Sequence, residues 1–395
     1  MSDNTRPLVK LTRGHAKRAR GGHPWVFSNE IEMDAAAKAL PRGTLVTLVD
    51  AGGEKLGVSL FNPHSLIAAR FLTRDPTAII DRAFLAGRIR RALDLRTLLY
   101  PRPFYRLVHA EADGLPGLVI DRYGDVVTMQ ANAAGMELLL PLIVEALDEV
   151  LAPVTILLKN SSPARALEGI EQYDRIAKGT LDGPVELEEN GARFLADLAE
   201  GQKTGWFFDQ RDNRAAVARL AAGRTMIDFY SYGGGFAVQA SKAGATKAIA
   251  VDRSADALEL AGRSAALNGV AIETVKAESF AEMERLGAQG ARFGVVVADP
   301  PAFVKSKKEL EAGAKGYRKM TRLAAPLVER GGFLFVASCS HHIDAERFAD
   351  EVRHGLVAAN RMGRILRAAG ADADHPVHPL LPESAYLKGL LLQLD

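Results

Sequence analysis

Three clusters of residues in this chain have the types and spacing to do chemistry. The first is Asp228-Phe229-Tyr230-Ser231-Tyr232-Gly233-Gly234-Gly235-Phe236, where a short apolar run ends in an acid and a glycine turn. Glycines at a strand-to-helix turn let backbone approach a ligand closely and aim helix N–H groups at it. Asp252 ends the next apolar run, 24 residues after Asp228, and an acid there can accept both hydroxyl hydrogens of a ribose. Glu278 follows the third run and is placed to accept from an adenine amino group. The turn departs from the G-x-G-x-x-G of dinucleotide folds, with Val238 closing Gly235-Phe236-Ala237-Val238. A cofactor with ribose and adenine but no pyrophosphate fits, which makes S-adenosylmethionine the expected one.

The second cluster, Asp299-Pro300-Pro301-Ala302-Phe303, ends a fourth apolar run. Two prolines cannot donate to a sheet ladder, so they stop the strand and stiffen the loop. Asp299 is left at the rim, able to hydrogen-bond a planar amide or ring nitrogen. The third cluster is Ser338-Cys339-Ser340-His341-His342, after a fifth run. Most single cysteines are buried as small hydrophobes, but Cys339 shares its rim with Asp299. A thiol near its usual pKa of about 8.5 is mostly protonated at neutral pH, so a nucleophile there needs activation. The helix from about Asp344 and the two histidines are the sequence candidates. Adjacent histidines point apart and nothing else has ligand spacing, so no metal is expected. A thiolate that adds to carbon 6 of a pyrimidine makes carbon 5 nucleophilic enough to attack a sulfonium methyl, and Asp299 would stabilise charge on the ring. The base that removes the carbon-5 proton has no sequence signature here.

A scaffold must bring these clusters to one edge. From about residue 207, helices alternate with strands expected at Thr225–Phe229, Ala248–Asp252, Glu273–Lys276, Gly294–Asp299, Gly332–Ser338 and near Arg364–Ala368, and the chain closes with Tyr386–Leu394. That rhythm predicts a doubly wound parallel α/β sheet, whose ligands sit beyond the carboxyl ends of its strands. The first 73 residues read as short strands between turns, a small β-barrel. A basic helix over Asp81–Leu98 follows, then a β-β-β-α-β unit to about residue 190 and a hairpin around Glu189-Asn190-Gly191. The expected domains are therefore 1–73, 74–190 with the basic helix, and 191–395.

With 395 residues, 48% hydrophobic and 25% charged, the chain is neither disordered nor fibrous. No apolar run approaches the roughly 18 residues of a membrane span. The N-terminus lacks the apolar core of a secretory signal. The single cysteine forms no internal disulfide, which fits a reducing cytoplasm. The net charge of +2 hides clustering: residues 1–25 carry six Lys/Arg against one acid, and residues 80–106 and 302–322 seven against two each. Segregated basic stretches suit a polyanion such as RNA.

These residues resemble the bacterial large-subunit ribosomal RNA cytosine-C5 methyltransferase I family of class I S-adenosylmethionine-dependent enzymes. The matching blocks run in order through His23-Pro24-Trp25-Val26-Phe27-Ser28, Glu111-Ala112-Asp113-Gly114-Leu115-Pro116-Gly117 and Ile120-Asp121-Arg122-Tyr123-Gly124. They continue with Lys203-Thr204-Gly205, Asp209-Gln210-Arg211-Asp212-Asn213-Arg214, the glycine turn, Asp299-Pro300-Pro301, Ser338-Cys339-Ser340, Asp374-His375-Pro376 and Tyr386-Leu387-Lys388-Gly389. The resemblance implies an N-terminal PUA barrel, a small central α/β domain and a Rossmann-like methyltransferase domain. It implies Cys339 and Asp299 as catalytic residues. Arg211, Asp228, Phe229, Ser231, Tyr232, Gly233, Gly235, Asp252, Arg253, Glu278 and Asp299 would bind cofactor, and Arg13, Lys17, Arg18, Trp25 and Lys305 would bind RNA. The implied partner is 23S ribosomal RNA, naked or partly assembled, with a homodimer left open. Two positions depart from the pattern: Ala302 stands where many RNA cytosine-C5 methyltransferases carry a second cysteine, and Gly233 where the family commonly has Thr. Methylation of a base nitrogen on the same fold, a non-catalytic RNA-binding protein and a small-molecule methyltransferase remain the alternatives.

Overall fold

The computed structural model describes residues 6–201 and 204–395, so Lys203 of the sequence blocks lies outside the described residues. The chain divides into two compact units. The first comprises residues 1–183, 198–206 and 373–382, and the second residues 184–197, 207–372 and 383–395.

In the first unit, five short strands form one sheet in the order Leu8–Lys10, Thr44–Val49, Lys55–Phe61, Ala69–Thr73 and Trp25–Val26. Val9, Leu11, Val26, Val46, Leu48, Phe61 and Phe71 share one core there. A second five-stranded sheet runs Tyr173–Lys178, Thr155–Asn160, Val126–Ala131, Leu118–Tyr123 and Phe104–His109. Its core takes Leu85 and Ile89 from helix Arg82–Leu99, and Ile143 and Leu147 from helix Leu140–Leu151. The one helix of the expected β-β-β-α-β unit is two, Ala134–Leu138 and Leu140–Leu151, with Pro141 in the first turn of the second, where its missing N–H is harmless.

Two short segments remote in sequence are held in this unit by buried polar groups. Arg96 is fully buried, forks onto Asp113 at 2.6 and 2.8 Å, and donates to the Asp374 carbonyl at 3.0 Å. The Asp374 carboxylate accepts from the Arg106 N–H at 2.9 Å and holds His375 Nδ1 at 2.6 Å. Thr204 offers its carbonyl to the Tyr123 hydroxyl at 3.0 Å and its own hydroxyl to Asp121.

The second unit is built on a seven-stranded sheet whose strands are β1 (Thr225–Phe229), β2 (Lys247–Asp252), β3 (Glu273–Lys276), β4 (Phe293–Ala298), β5 (Val328–Ser338), β6 (Gly363–Ala369) and β7 (Lys388–Leu394). Their order is β3-β2-β1-β4-β5-β7-β6. Strands β1 to β5 are parallel, as the alternation requires, but β7 inserts antiparallel between β5 and β6. The interleaved helices are α1 (Arg211–Ala221), α2 (Gly235–Lys242), α3 (Ala255–Leu267), α4 (Ser279–Ala288), α5 (Leu310–Ala324) and α6 (Ala345–Ala358). Strands buried on both faces read as unbroken apolar runs, as Val295-Val296-Val297-Ala298 does. The strand order reverses between β1 and β4, which opens a crevice beyond their carboxyl ends. Among the described residues, no helix is long and apolar enough to cross a membrane.

Removing one partner of a buried ion pair strands the other, at about 3–5 kcal/mol. Arg96→Met is therefore expected to lower unfolding stability by about that amount. Arg96→Lys should fail to rescue it, because an ammonium cannot fork onto both Asp113 oxygens. Urea melts of the three proteins check this.

Candidate active site

The glycine turn after β1 is bent by residues that seldom accept such backbone. Tyr230 and Tyr232 have φ of 62° and 47°, a left-handed setting that is uncommon for any residue with a side chain and strained for a bulky one. Gly234 (φ 74°) caps α2, and a Cβ on it would stand 2.7 Å from the Ala261 Cβ. The Asp252 carboxylate, at the end of β2, fixes the turn by accepting from the Tyr232 N–H and the Ser254 N–H, both at 2.9 Å.

Asp228 lies at the end of β1, 1% exposed, and neither carboxylate oxygen has a hydrogen-bond partner in the structure. The buried Ser231 hydroxyl is likewise unpartnered. Burial, and after it the Asp299 charge, pushes the Asp228 carboxyl well above the usual carboxylate range. Orphaned polar atoms of this kind at a strand-to-helix turn are what an incoming polar ligand would satisfy. The turn therefore fits the expected cofactor, with Asp228 and Ser231 offering hydrogen-bonding atoms to it and Asp252 available for hydroxyl groups.

Other sequence candidates stand differently. Gly233 is buried in the turn, and Gly235, also buried, opens α2. Phe229 is fully buried in the core, and its carbonyl accepts from the Asp299 N–H at 3.5 Å. Arg211 pairs with Asp372 at 3.1 Å. Glu278 is exposed and accepts from the Ala281 N–H at 2.9 Å as the cap of α4. Arg253 is exposed.

Asp299 and Cys339 follow adjacent strands, β4 and β5, and the structure brings their loops together. Cys339 is half-buried, with Sγ 4.0 Å from the Pro300 carbonyl. Asp299 Oδ2 accepts from Gln210 Nε2 at 2.8 Å, and Gln210 Oε1 accepts from Asn213 Nδ2 at 2.7 Å, so an amide chain orients the carboxylate. Ser340 joins the two loops. Its Oγ takes the Val304 N–H at 3.1 Å and lies 2.7 Å from the Tyr317 hydroxyl, which accepts from the Phe303 N–H at 3.3 Å. Phe303 packs on Tyr317 and Phe280 with ring centroids at 4.8 and 5.9 Å. Sequence reasoning missed Gln210, Asn213, Tyr317 and the Ser340 hydroxyl as positioning groups. Gln210 and Asn213 were visible only as polar residues in a matched block.

The RNA candidates divide. Arg13, Lys17 and Lys305 are exposed. Arg18 pairs with Glu30 at 2.5 Å and lies over the Phe27 ring. Trp25 is half-buried, its indole N–H donating to Glu111 at 2.7 Å and Arg70 lying over its ring.

Residues 9–74 match the PUA-like domain family, and residues 176–365 the S-adenosylmethionine-dependent methyltransferase family. The ribosomal RNA large subunit methyltransferase I of Klebsiella pneumoniae is 34% identical over 401 residues, covering 98% of both chains. That of Aeromonas salmonicida is 34% identical over 393 residues, covering 98% of this chain and 99% of its own. A solved protein from Streptococcus mutans shares this fold, superimposing with a TM-score of 0.82 at 19% identity and covering 98% of this chain and all of its own.

An acid whose pKa is raised by folding binds its proton more tightly in the native state. Its stability deficit is absent below the unfolded pKa and grows as pH rises through the interval up to the raised value. Asp228→Asn is thus expected to raise the ligand-free melting temperature at pH 7 while weakening S-adenosylmethionine binding. Asp252→Ala should weaken binding by about 1–3 kcal/mol. Thermal melts and titration calorimetry separate the two effects.

Proposed function

The chain belongs to the ribosomal RNA large subunit methyltransferase I family, and on that premise we propose that it methylates carbon 5 of a cytosine in 23S ribosomal RNA through a Cys339 thiolate. The protein is an S-adenosylmethionine-dependent methyltransferase with a PUA-like N-terminal domain. What carries the finer reading is the pairing of a rim thiol with a rim carboxylate on adjacent strand ends, next to the strained glycine turn.

In this reading Asp228, Ser231, Tyr232 and Asp252 hold the cofactor. S-adenosylmethionine, when bound, supplies an electrophilic methyl group. Asp299, oriented by Gln210, hydrogen-bonds the cytosine ring and its exocyclic amine, favouring the electron shift as sulfur adds to carbon 6. Cys339 forms the carbon–sulfur bond and so makes carbon 5 an enamine nucleophile. After carbon 5 has been methylated and has lost its proton, the same sulfur leaves. With Ala302 in place of a second cysteine, Cys339 serves both addition and elimination. The base must leave its stack to reach this rim, so single-stranded or unfolded RNA is the proposed form of substrate.

Cys339→Ala is expected to abolish methyl transfer with cofactor binding and melting temperature nearly unchanged, and RNA containing 5-fluorocytosine should trap a covalent complex with the wild type. Full turnover by Cys339→Ala would remove the carbon-5 reading and favour a base nitrogen. Replacing Arg13 and Lys17 by Ala should weaken RNA binding and flatten its salt dependence, with cofactor affinity unchanged. Filter binding across a salt series measures this.

A further inference from the structure

Lys388 opens β7 directly opposite Ser338 in the register with β5, one residue from Cys339. It is 9% exposed, yet among the described residues no carboxylate lies within ion-pair distance of its ammonium. Instead Nζ donates to the Ser340 carbonyl at 2.6 Å and the Ile343 carbonyl at 2.8 Å, both in the segment that carries Cys339. A buried ammonium without a counter-anion is expensive, and a nearby lysine lowers a thiol's pKa. Burial pulls the Lys388 pKa down to about 8, while Cys339 and Asp344 act in the opposite direction.

Among the described residues, the other groups placed near Cys339 offer no buried cation. Asp299 on the β4 loop and Asp344 capping α6 are acids that oppose a thiolate. The Tyr317 hydroxyl on α5 is held above its usual pKa, chiefly by burial, and stays neutral. His341, on the same loop as Cys339, stacks on Tyr386 at 5.1 Å. Neither the α6 N-terminus nor the two histidines, the activators considered from sequence, places a buried ammonium against the carbonyls of this loop as Lys388 does.

We propose that Lys388 is a positioning residue for the nucleophile, holding the Cys339 loop by its carbonyls and stabilising the Cys339 thiolate with its charge. The inference rests on Cys339 being the nucleophile, but its test does not need RNA. Cys339 is the only cysteine in the 395 residues, so alkylation by iodoacetamide, followed by mass spectrometry across pH on the full chain, reports on this thiol alone.

The wild-type midpoint is expected below the roughly 8.5 of an ordinary thiol. Lys388→Met should move it up by about one unit and slow alkylation at pH 7 about tenfold, and Lys388→Arg should largely restore both. A purely structural tether predicts a lower melting temperature with the midpoint unmoved. An unmoved midpoint in a folded Lys388→Met protein overturns the proposal. So does a wild-type midpoint at or above 8.5, which decides the matter even if that variant does not fold. A shifted midpoint alongside an active Cys339→Ala enzyme would keep the ion pair and discard the carbon-5 mechanism. A trapped 5-fluorocytosine adduct with an unmoved midpoint would do the reverse.

Discussion

The rim geometry depends on one hydroxyl. Ser340 Oγ is buried between the Val304 N–H and the Tyr317 hydroxyl, so the loop after β4 and the loop after β5 share a hydrogen-bonded clasp. Parallel strands fix only where their loops begin. The distance between Asp299 and Cys339 also needs a lateral tie, and a small buried polar group is suited to that task because it has few rotamers to lose. Gly313 completes the arrangement: a Cβ there would fall 2.4 Å from the Phe303 carbonyl, so α5 can press against the proline loop only because no side chain intervenes.

The cofactor turn is organised on the opposite principle. Its backbone is strained at two tyrosines and its central carboxylate is buried beside a second acid, costs of the kind that functional sites carry. Stability is surrendered locally and supplied by the apolar sheet around it, where Ile227, Val296, Leu334 and their neighbours are almost wholly inaccessible to water.

Much of this was legible from residue order. The expected strands Thr225–Phe229 and Glu273–Lys276 have the observed boundaries, and the Glu189-Asn190-Gly191 hairpin forms between Val185–Glu189 and Ala192–Ala196. Strand ends bearing Asp228, Asp252 and Asp299 were visible because a polar residue closing an apolar run is a local signal. The antiparallel direction of β7 was not, since direction is set by where the connecting chain goes. Strand Tyr173–Lys178 escaped because it is an exposed edge strand without an apolar run. Lys388 was invisible as a functional group: a lysine before an apolar strand looks like solvent-facing charge until the fold buries it. Gln210, Asn213 and Ser340 act through partners at least 23 residues away, or through one another, and no local pattern encodes such pairs.

The first unit is assembled from three separate stretches of chain, and Arg96 and Arg106 hold the last of them through Asp374. This has a consequence for inheritance. A gene whose domains follow one another can gain or lose one through a single recombination event. Here any single break in the coding sequence divides at least one unit, and a break after residue 183 leaves the N-terminal portion without Thr204, Asp374 and His375. The two units can therefore be exchanged only by multiple crossovers, which favours their descent as one indivisible sequence.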